Sequence, residues 1–166
     1  MSPGGGVDDT GADPLLKARS IAMELLARRE HSYHELLGKL QDRLPTLDEH
    51  QVLRPVLDQL VADNLQSDVR FVDAYVRYRS SRGDGPLKIS AGLQPRKIAA
   101  ALLKQALYAD GPDWVELCRQ ALQKKFRLHG KPAAAELQRI QRFLLQRGYT
   151  GEQIRQCLKI NRDSEQ

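Results

Sequence analysis

An all-α fold is what the sequence predicts, and three observations predict it. Apolar residues recur at spacings of three and four along most of the chain, the period of one helix face. Ser, Thr, Asp, Pro and Gly stand between those stretches, at positions that start and stop helices. No run of useful length alternates apolar with polar residues, so no strand is read. Of the 166 residues, 41% are apolar, 28% charged and only 5% aromatic. Such a composition gives a core of Leu and Ala, and a large catalytic domain with a deep aromatic pocket is not expected.

Each element has its own signal. Met1 to Asp13 holds four glycines, three aspartates and two small hydroxyl residues, and reads as a disordered leader rather than a secretory signal. Asp13-Pro14 gives a cap and a helix-compatible Pro, opening a helix one face of which is read as Leu15, Leu16, Arg19, Ala22, Met23, Leu26 and Ala27. Ser32-Tyr33-His34-Glu35 is a capping box leading into Leu36, Leu37 and Leu40. Thr46-Leu47-Asp48-Glu49 is read as another, leading to Val52, Leu53, Val56, Leu57, Leu60 and Val61, and either the helix starts late enough to hold Pro55 in its first turn or, the preferred reading, it bends there.

Asn64 suits a left-handed turn, and Asp68 is read as the cap of a helix carrying Phe71, Val72, Tyr75, Val76 and Tyr78. Gly83-Asp84-Gly85-Pro86 ends that helix. A short helix over 87–93 follows, Pro95 marks a boundary, and Ile98, Ala101, Leu102, Ala106 and Leu107 form the next apolar face. Beyond Gly111-Pro112-Asp113, helices are read over 114–128, 132–147 and 151–160. The total is about nine.

Three junctions superimpose on Ser32, Gly85 and Thr150. Three residues before each stands Arg29, Arg82 or Arg147; four after stands Leu36, Ile89 or Ile154; eight after stands Leu40, Leu93 or Leu158; seven before stands Leu25, Tyr78 or Phe143. The later pair lies on one face of the second helix, and the residue at minus seven can meet that face across the turn. The Arg lies in the last turn of the first helix, where a cation gains about 0.3–1 kcal/mol from the helix dipole. Units this short cannot bury their apolar faces alone, so they must stack on neighbours, and an elongated, curved array is expected.

The formal charge of +5 is unevenly distributed. Residues 1–69 carry 7 basic and 12 acidic side chains, net −5, and residues 70–166 carry 19 and 9, net +10. The larger, C-terminal part is suited to a polyanion or an acidic protein surface, although the balance alone does not separate the two and is also that of a solvated helical surface. Mean hydropathy is −0.52 and no apolar run approaches the ~18 residues of a membrane span. Cys118 and Cys157, spaced like neither a metal site nor a disulfide framework, read as buried small apolar side chains in a reducing cytoplasm. His31 and His34, without a third ligand nearby, are weak evidence for zinc, and no metal site is expected. No phosphate-cradling Gly-rich loop and no arranged catalytic base are found, so neither an enzyme nor a cofactor is expected.

Several stretches together resemble the RecX family of bacterial recombinase regulators. They are residues 22–32 (Ala22-Met23-Glu24-Leu25-Leu26-Ala27-Arg28-Arg29-Glu30-His31-Ser32) with Glu35-Leu36 and Lys39-Leu40, then Val56-Leu57-Asp58-Gln59-Leu60 and Asp68-Val69-Arg70-Phe71. Tyr75-Val76-Arg77 and Arg79 follow, before Gly83-Asp84-Gly85-Pro86, and Phe143 to Thr150 closes the series. The resemblance spans roughly residues 15 to 160. Two positions depart from it. Lys97 and Asn64 stand where the family commonly has Gly; Asn tolerates a left-handed backbone and Lys does so less well, which leaves the turn around 93–98 open.

The resemblance implies tandem three-helix repeats, placed at 14–65, 66–110 and 111–162. It also implies a regulator that binds RecA and its filament on single-stranded DNA, with binding to the free protomer left open; a monomer is the simplest reading of the uneven charge and the lack of an amphipathic zipper, and the cysteine usage suits the cytoplasm. Such a regulator restrains filament growth, ATP hydrolysis, strand exchange and stimulated repressor cleavage. The contact residues expected are Arg77, Arg79, Arg82, Lys88, Arg96, Lys97 and Lys104, then Lys124, Lys125, Arg127 and Lys131, then Arg139, Arg142 and Arg147. These cations would meet acidic side chains or phosphates, with weak, unspecific affinity for DNA itself. The rival reading is a basic helical DNA-binding protein that acts without RecA; against it, the short second helices lack a dense set of base-reading side chains.

Overall fold

The protein is described here by a computed structural model, from residue 11 to residue 163. Nine α-helices and no strand occur among these residues, so the all-α class holds. They are α1 (Pro14–Arg28), α2 (Tyr33–Arg43), α3 (Arg54–Ala62), α4 (Asp68–Ser81), α5 (Pro86–Leu93), α6 (Ala100–Lys104), α7 (Trp114–Lys125), α8 (Ala134–Gln146) and α9 (Gly151–Asp163). Most of the expected leader, residues 1–10, lies outside the described residues. No described helix is long and apolar enough to cross a membrane. Two compact units are formed, one up to Phe71 and one from Val72.

In the first unit α1, α2 and α3 pack on one core of Ala18, Ala22, Leu25, Leu36, Leu40, Leu53, Leu57 and Leu60. Asp13 caps α1 by accepting from Leu15 N–H at 3.0 Å. The buried stripe of α1 is only partly the one expected, with Ala22 buried and Leu26 packed against the core. Leu16 is 64% exposed, Leu15 and Met23 also face out, and Ala18 and Ala22 are fully buried. Small side chains let neighbouring helices approach, so the contact face follows the alanines rather than the bulkiest residues. Ser32 Oγ accepts from Glu35 N–H at 3.1 Å, as its capping box requires, and the Glu35 carboxylate also pairs with Arg29 at 2.6 Å.

Two caps are displaced. Asp48, not Thr46, begins the next helical segment, accepting from Gln51 N–H at 2.7 Å. That segment opens as a π-helical turn, Glu49–Leu53, and runs directly into α3 with Pro55 in its first turn. The wider turn precedes the position where Pro offers no N–H to an α-helical ladder. The other displaced cap is Asp68. Ser67 Oγ accepts from Arg70 N–H at 3.2 Å, while Asp68 accepts instead from Tyr33 N–H at 2.8 Å and Gln66 at 3.0 Å. Tyr33 donates its hydroxyl to Asp58 at 2.7 Å, and burial followed by this carboxylate pushes its pKa up to about 12.

In the second unit α7 packs mainly on α9, and both contact α8. Trp114, Cys118, Leu122, Ile140, Leu144, Tyr149, Ile154 and Cys157 are buried there. Cys118 and Cys157 are both fully buried, and the neighbouring Cys157 thiol together with burial holds the Cys118 thiol above its ordinary range. Asp113 caps α7 through Glu116 N–H at 3.0 Å, and Trp114 Nε1 donates to the Leu107 carbonyl at 2.6 Å. Thr150 and Gln153 cap α9 reciprocally, at 3.2 and 2.9 Å. Lys97 takes the left-handed conformation, with φ 50°, and Asn64 does likewise at φ 57°.

The junction pattern is only partly realised. At plus four, Leu36, Ile89 and Ile154 are all buried. At minus seven, Leu25 is buried but Tyr78 is 59% exposed. Its ring carries the Arg82 guanidinium 5.6 Å from the centroid instead of meeting α5.

Candidate functional site

The second unit joins two of these junctions backbone to backbone. The α4–α5 turn donates Gly85 N–H to the Arg147 carbonyl at 2.7 Å, and Leu87 N–H to the Gly148 carbonyl at 3.0 Å. Tyr149, fully buried, donates its hydroxyl to the Gly83 carbonyl at 3.1 Å. Burial holds that phenol above the ordinary tyrosine range. Gly148 has φ +94°, and a Cβ there would lie 2.5 Å from the Lys88 backbone nitrogen. A Cβ on Gly85 would in turn lie 2.5 Å from the Gly148 carbonyl carbon, so Gly85 and Gly148 are both required where the two main chains meet.

This docking gathers charge around Asp84, which is buried. Its carboxylate lies 2.7 Å from Arg79 Nε, 2.9 Å from Lys88 Nζ and 4.0 Å from an Arg147 terminal nitrogen. One anion therefore faces three cations, and the cluster is net positive. Arg147 extends further: it donates to the Arg82 carbonyl at 3.4 Å and lies 5.3 Å from the Phe143 ring centroid.

Beside the cluster opens a cleft of about 410 Å³ at the C-terminal ends of α4, α7 and α8. Arg82, Lys124, Lys125 and Arg147 line it, with Ser80, Ser81 and Gln120 as neutral polar groups and no carboxylate. Phe143 forms an apolar wall, with Lys125 Nζ 6.0 Å from its ring centroid and Phe126 packed against it edge to face at 5.5 Å. The bland account of these cations is compensation of helix C-termini. Magnitudes decide against that account being sufficient: three helix ends supply about half a negative charge each, against four full positive charges. The surplus leaves the cleft with a net positive lining, a charge suited to a carboxylate or a phosphate.

Of the expected contact residues, the structure thus brings Arg82, Lys124, Lys125 and Arg147 to one cleft, and Arg79, Lys88 and Arg147 to Asp84. The others are scattered. Arg96 folds over Tyr75, 5.2 Å from its ring centroid, and donates to the Gly92 carbonyl. Arg77, Lys97, Lys104, Arg127 and Arg139 are exposed at separate places. Arg142 lines a shallow surface on α8, and Lys131 lines a different cleft. Sequence reasoning missed Asp84, taken there as a turn residue. The i, i+4 spacing of Asp84 and Lys88 was the available signal.

Comparison with known proteins bears on the same segments. A family model described as RecX, second three-helix domain, matches residues 67–107, and one described as RecX, third three-helix domain, matches residues 112–158. "Regulatory protein RecX" of Chromohalobacter salexigens is 39% identical over 140 residues, covering 84% of this chain and 90% of the relative. The protein of the same name from Legionella pneumophila (strain Corby) is 36% identical over 145 residues, covering 87% and 95%. Among solved structures, RecX from Lactobacillus salivarius matches with a TM-score of 0.75 at 20% identity, over 93% of this chain and 99% of that one. Another, described as regulatory protein RecX, matches at 0.71 and 21% identity, over 96% and 81%.

Proposed function

The chain belongs to the RecX family, and we propose that it binds RecA and the RecA filament on single-stranded DNA and restrains the recombinase. The observation that carries this reading is the cleft of Arg82, Lys124, Lys125 and Arg147, with surplus positive charge and no carboxylate in its lining. Acidic side chains of the recombinase, or phosphates of its bound strand, are the groups it would hold. Both are anions of a polymer, so several weak contacts add along the filament. The chain acts by binding rather than by turnover. To change filament growth it must prefer one filament state, because equal affinity for two states shifts neither.

The test is RecA-dependent ATP hydrolysis on single-stranded DNA, measured with the wild type and with Arg82→Glu/Lys124→Glu/Lys125→Glu. These three side chains are exposed and make no ion pair with Asp84, so the variant tests the cleft without dismantling the cluster. Loss of inhibition is expected. Full inhibition by the folded variant overturns the assignment of the site, and indifference of RecA to the wild type at saturation overturns the function.

The rival reading, a DNA-binding protein that acts without RecA, draws on the net charge of +10 over residues 70–166. Salt decides between them. Binding to naked DNA falls steeply with salt, with a slope set by the number of phosphates neutralised. If affinity for the filament exceeds affinity for naked DNA at every salt concentration, the rival is set aside.

A further inference from the structure

A second cleft, independent of the recombinase reading, lies between the segment linking α7 to α8, α8 itself and α9. Its volume is about 380 Å³, within the ~300–1,000 Å³ common for ligand sites. Leu128, Pro132, Leu137 and Leu158 form its floor, all half-buried. Four cations surround that floor, Lys131 from the linking segment and Arg155, Lys159 and Arg162 from successive turns of α9, and no carboxylate is among its lining residues. Arg155 is partly compensated by Glu152, 2.5 Å away on the same helix.

We propose that this cleft docks an acidic peptide segment of a protein partner, with one or two branched aliphatic side chains seated on the leucine floor and flanking carboxylates on the cationic rim. Charge complementarity selects this occupant. An apolar floor inside a ring of one sign fits a ligand with an apolar centre and charged flanks of the opposite sign. A nucleic acid strand would use phosphate contacts together with rings on which bases stack, and no aromatic side chain lines this cleft. A membrane would need a broad apolar face, whereas these leucines are recessed behind the cations.

The probe is a fluorescein-labelled Asp-Glu-Leu-Leu-Asp-Glu peptide, followed by fluorescence anisotropy with the full chain. Saturable binding is expected, weakening with salt. Replacing the two leucines of the peptide by serine, or its acids by lysine, should abolish it. In the protein, Lys159→Glu/Arg162→Glu should weaken binding at least ~10-fold, and Leu128→Ser should do the same at unchanged salt dependence. Leu128 lies outside the helices; if its variant fails to fold, the rim variant decides alone. Equal binding of the serine peptide, or binding untouched by the rim variant, overturns the proposal. So does oligothymidylate or a phosphatidylglycerol vesicle binding with the same dependence on Leu128. None of the variants touches Arg82, Lys124, Lys125 or Arg147, so inhibition of RecA by the rim variant reports separately on the proposed function.

Discussion

The backbone N–H of Gly85 donates to the carbonyl of Arg147 at 2.7 Å, tying the α4–α5 turn to the residue that ends α8. The contact needs two residues without side chains. A Cβ on Gly85 would meet the Gly148 carbonyl carbon at 2.5 Å, and one on Gly148 would meet Lys88 at the same distance. Gly148→Ala also forces a non-Gly residue to φ +94°, costing about 1–3 kcal/mol before any steric overlap is counted. A clear fall in the urea midpoint, followed by circular dichroism, is expected. An unchanged midpoint would mean that the two turns separate freely.

Asp84 is the one anion of its cluster. Asp84→Asn keeps the shape but turns one accepting oxygen into an N–H donor, and it leaves Arg79, Lys88 and Arg147 facing one another without a counter-charge. Their side chains remain 33–43% exposed, so water screens much of the repulsion. A loss of about 1–3 kcal/mol is expected, below the ~3–5 kcal/mol for breaking a fully buried pair. Restoration of stability by high salt would identify the cause as repulsion among the cations.

Tyr149→Phe removes a single hydroxyl, the donor to the Gly83 carbonyl. The ring stays buried, so packing is preserved. Destabilisation of about 0.5–1.5 kcal/mol is expected, with native far-ultraviolet dichroism retained. A larger loss would show that the hydroxyl holds more than the turn.

His31 supplies a pH dependence. It is 2% exposed, and its Nδ1–H donates to the Arg29 carbonyl at 3.0 Å. Burial holds its pKa below the usual 6.5, so the unfolded chain takes up the proton first as pH falls. The stability that His31 contributes is complete above about pH 6.5 and is lost as pH drops through the folded-state value. Urea unfolding at pH 7.5 and 5.5 should therefore show a larger loss for the wild type than for His31→Asn. Equal losses would assign the dependence to other groups.

Much of this architecture was legible in the chain because it is local. Ser32, Asp13 and Asp113 cap their helices where short-range patterns place them, and Gly83 to Pro86 ends α4 as read. The errors arise where a distant partner competes for a side chain. Asp68 leaves its helix start to Ser67 because Tyr33 and Gln66 offer it donors. Tyr78 fits the junction spacing yet faces outward, since a spacing fixes the face of a helix but not what lies opposite it. The basic cleft was visible only as loose cations. Arg82 and Arg147 share the junction pattern, but Lys124 and Lys125 join them through the packing of α7, which no local signal encodes.

The pairing of Gly85 and Leu87 with Arg147 and Gly148 also constrains the order in which the molecule is assembled during synthesis. The α4–α5 turn leaves the ribosome early, but its backbone acceptors belong to a stretch made much later. Until α8 and the residues just after it emerge, the N–H groups of Gly85 and Leu87 have only water to bond. Consolidation of the second unit is therefore a late, long-range event, slower than helix formation itself.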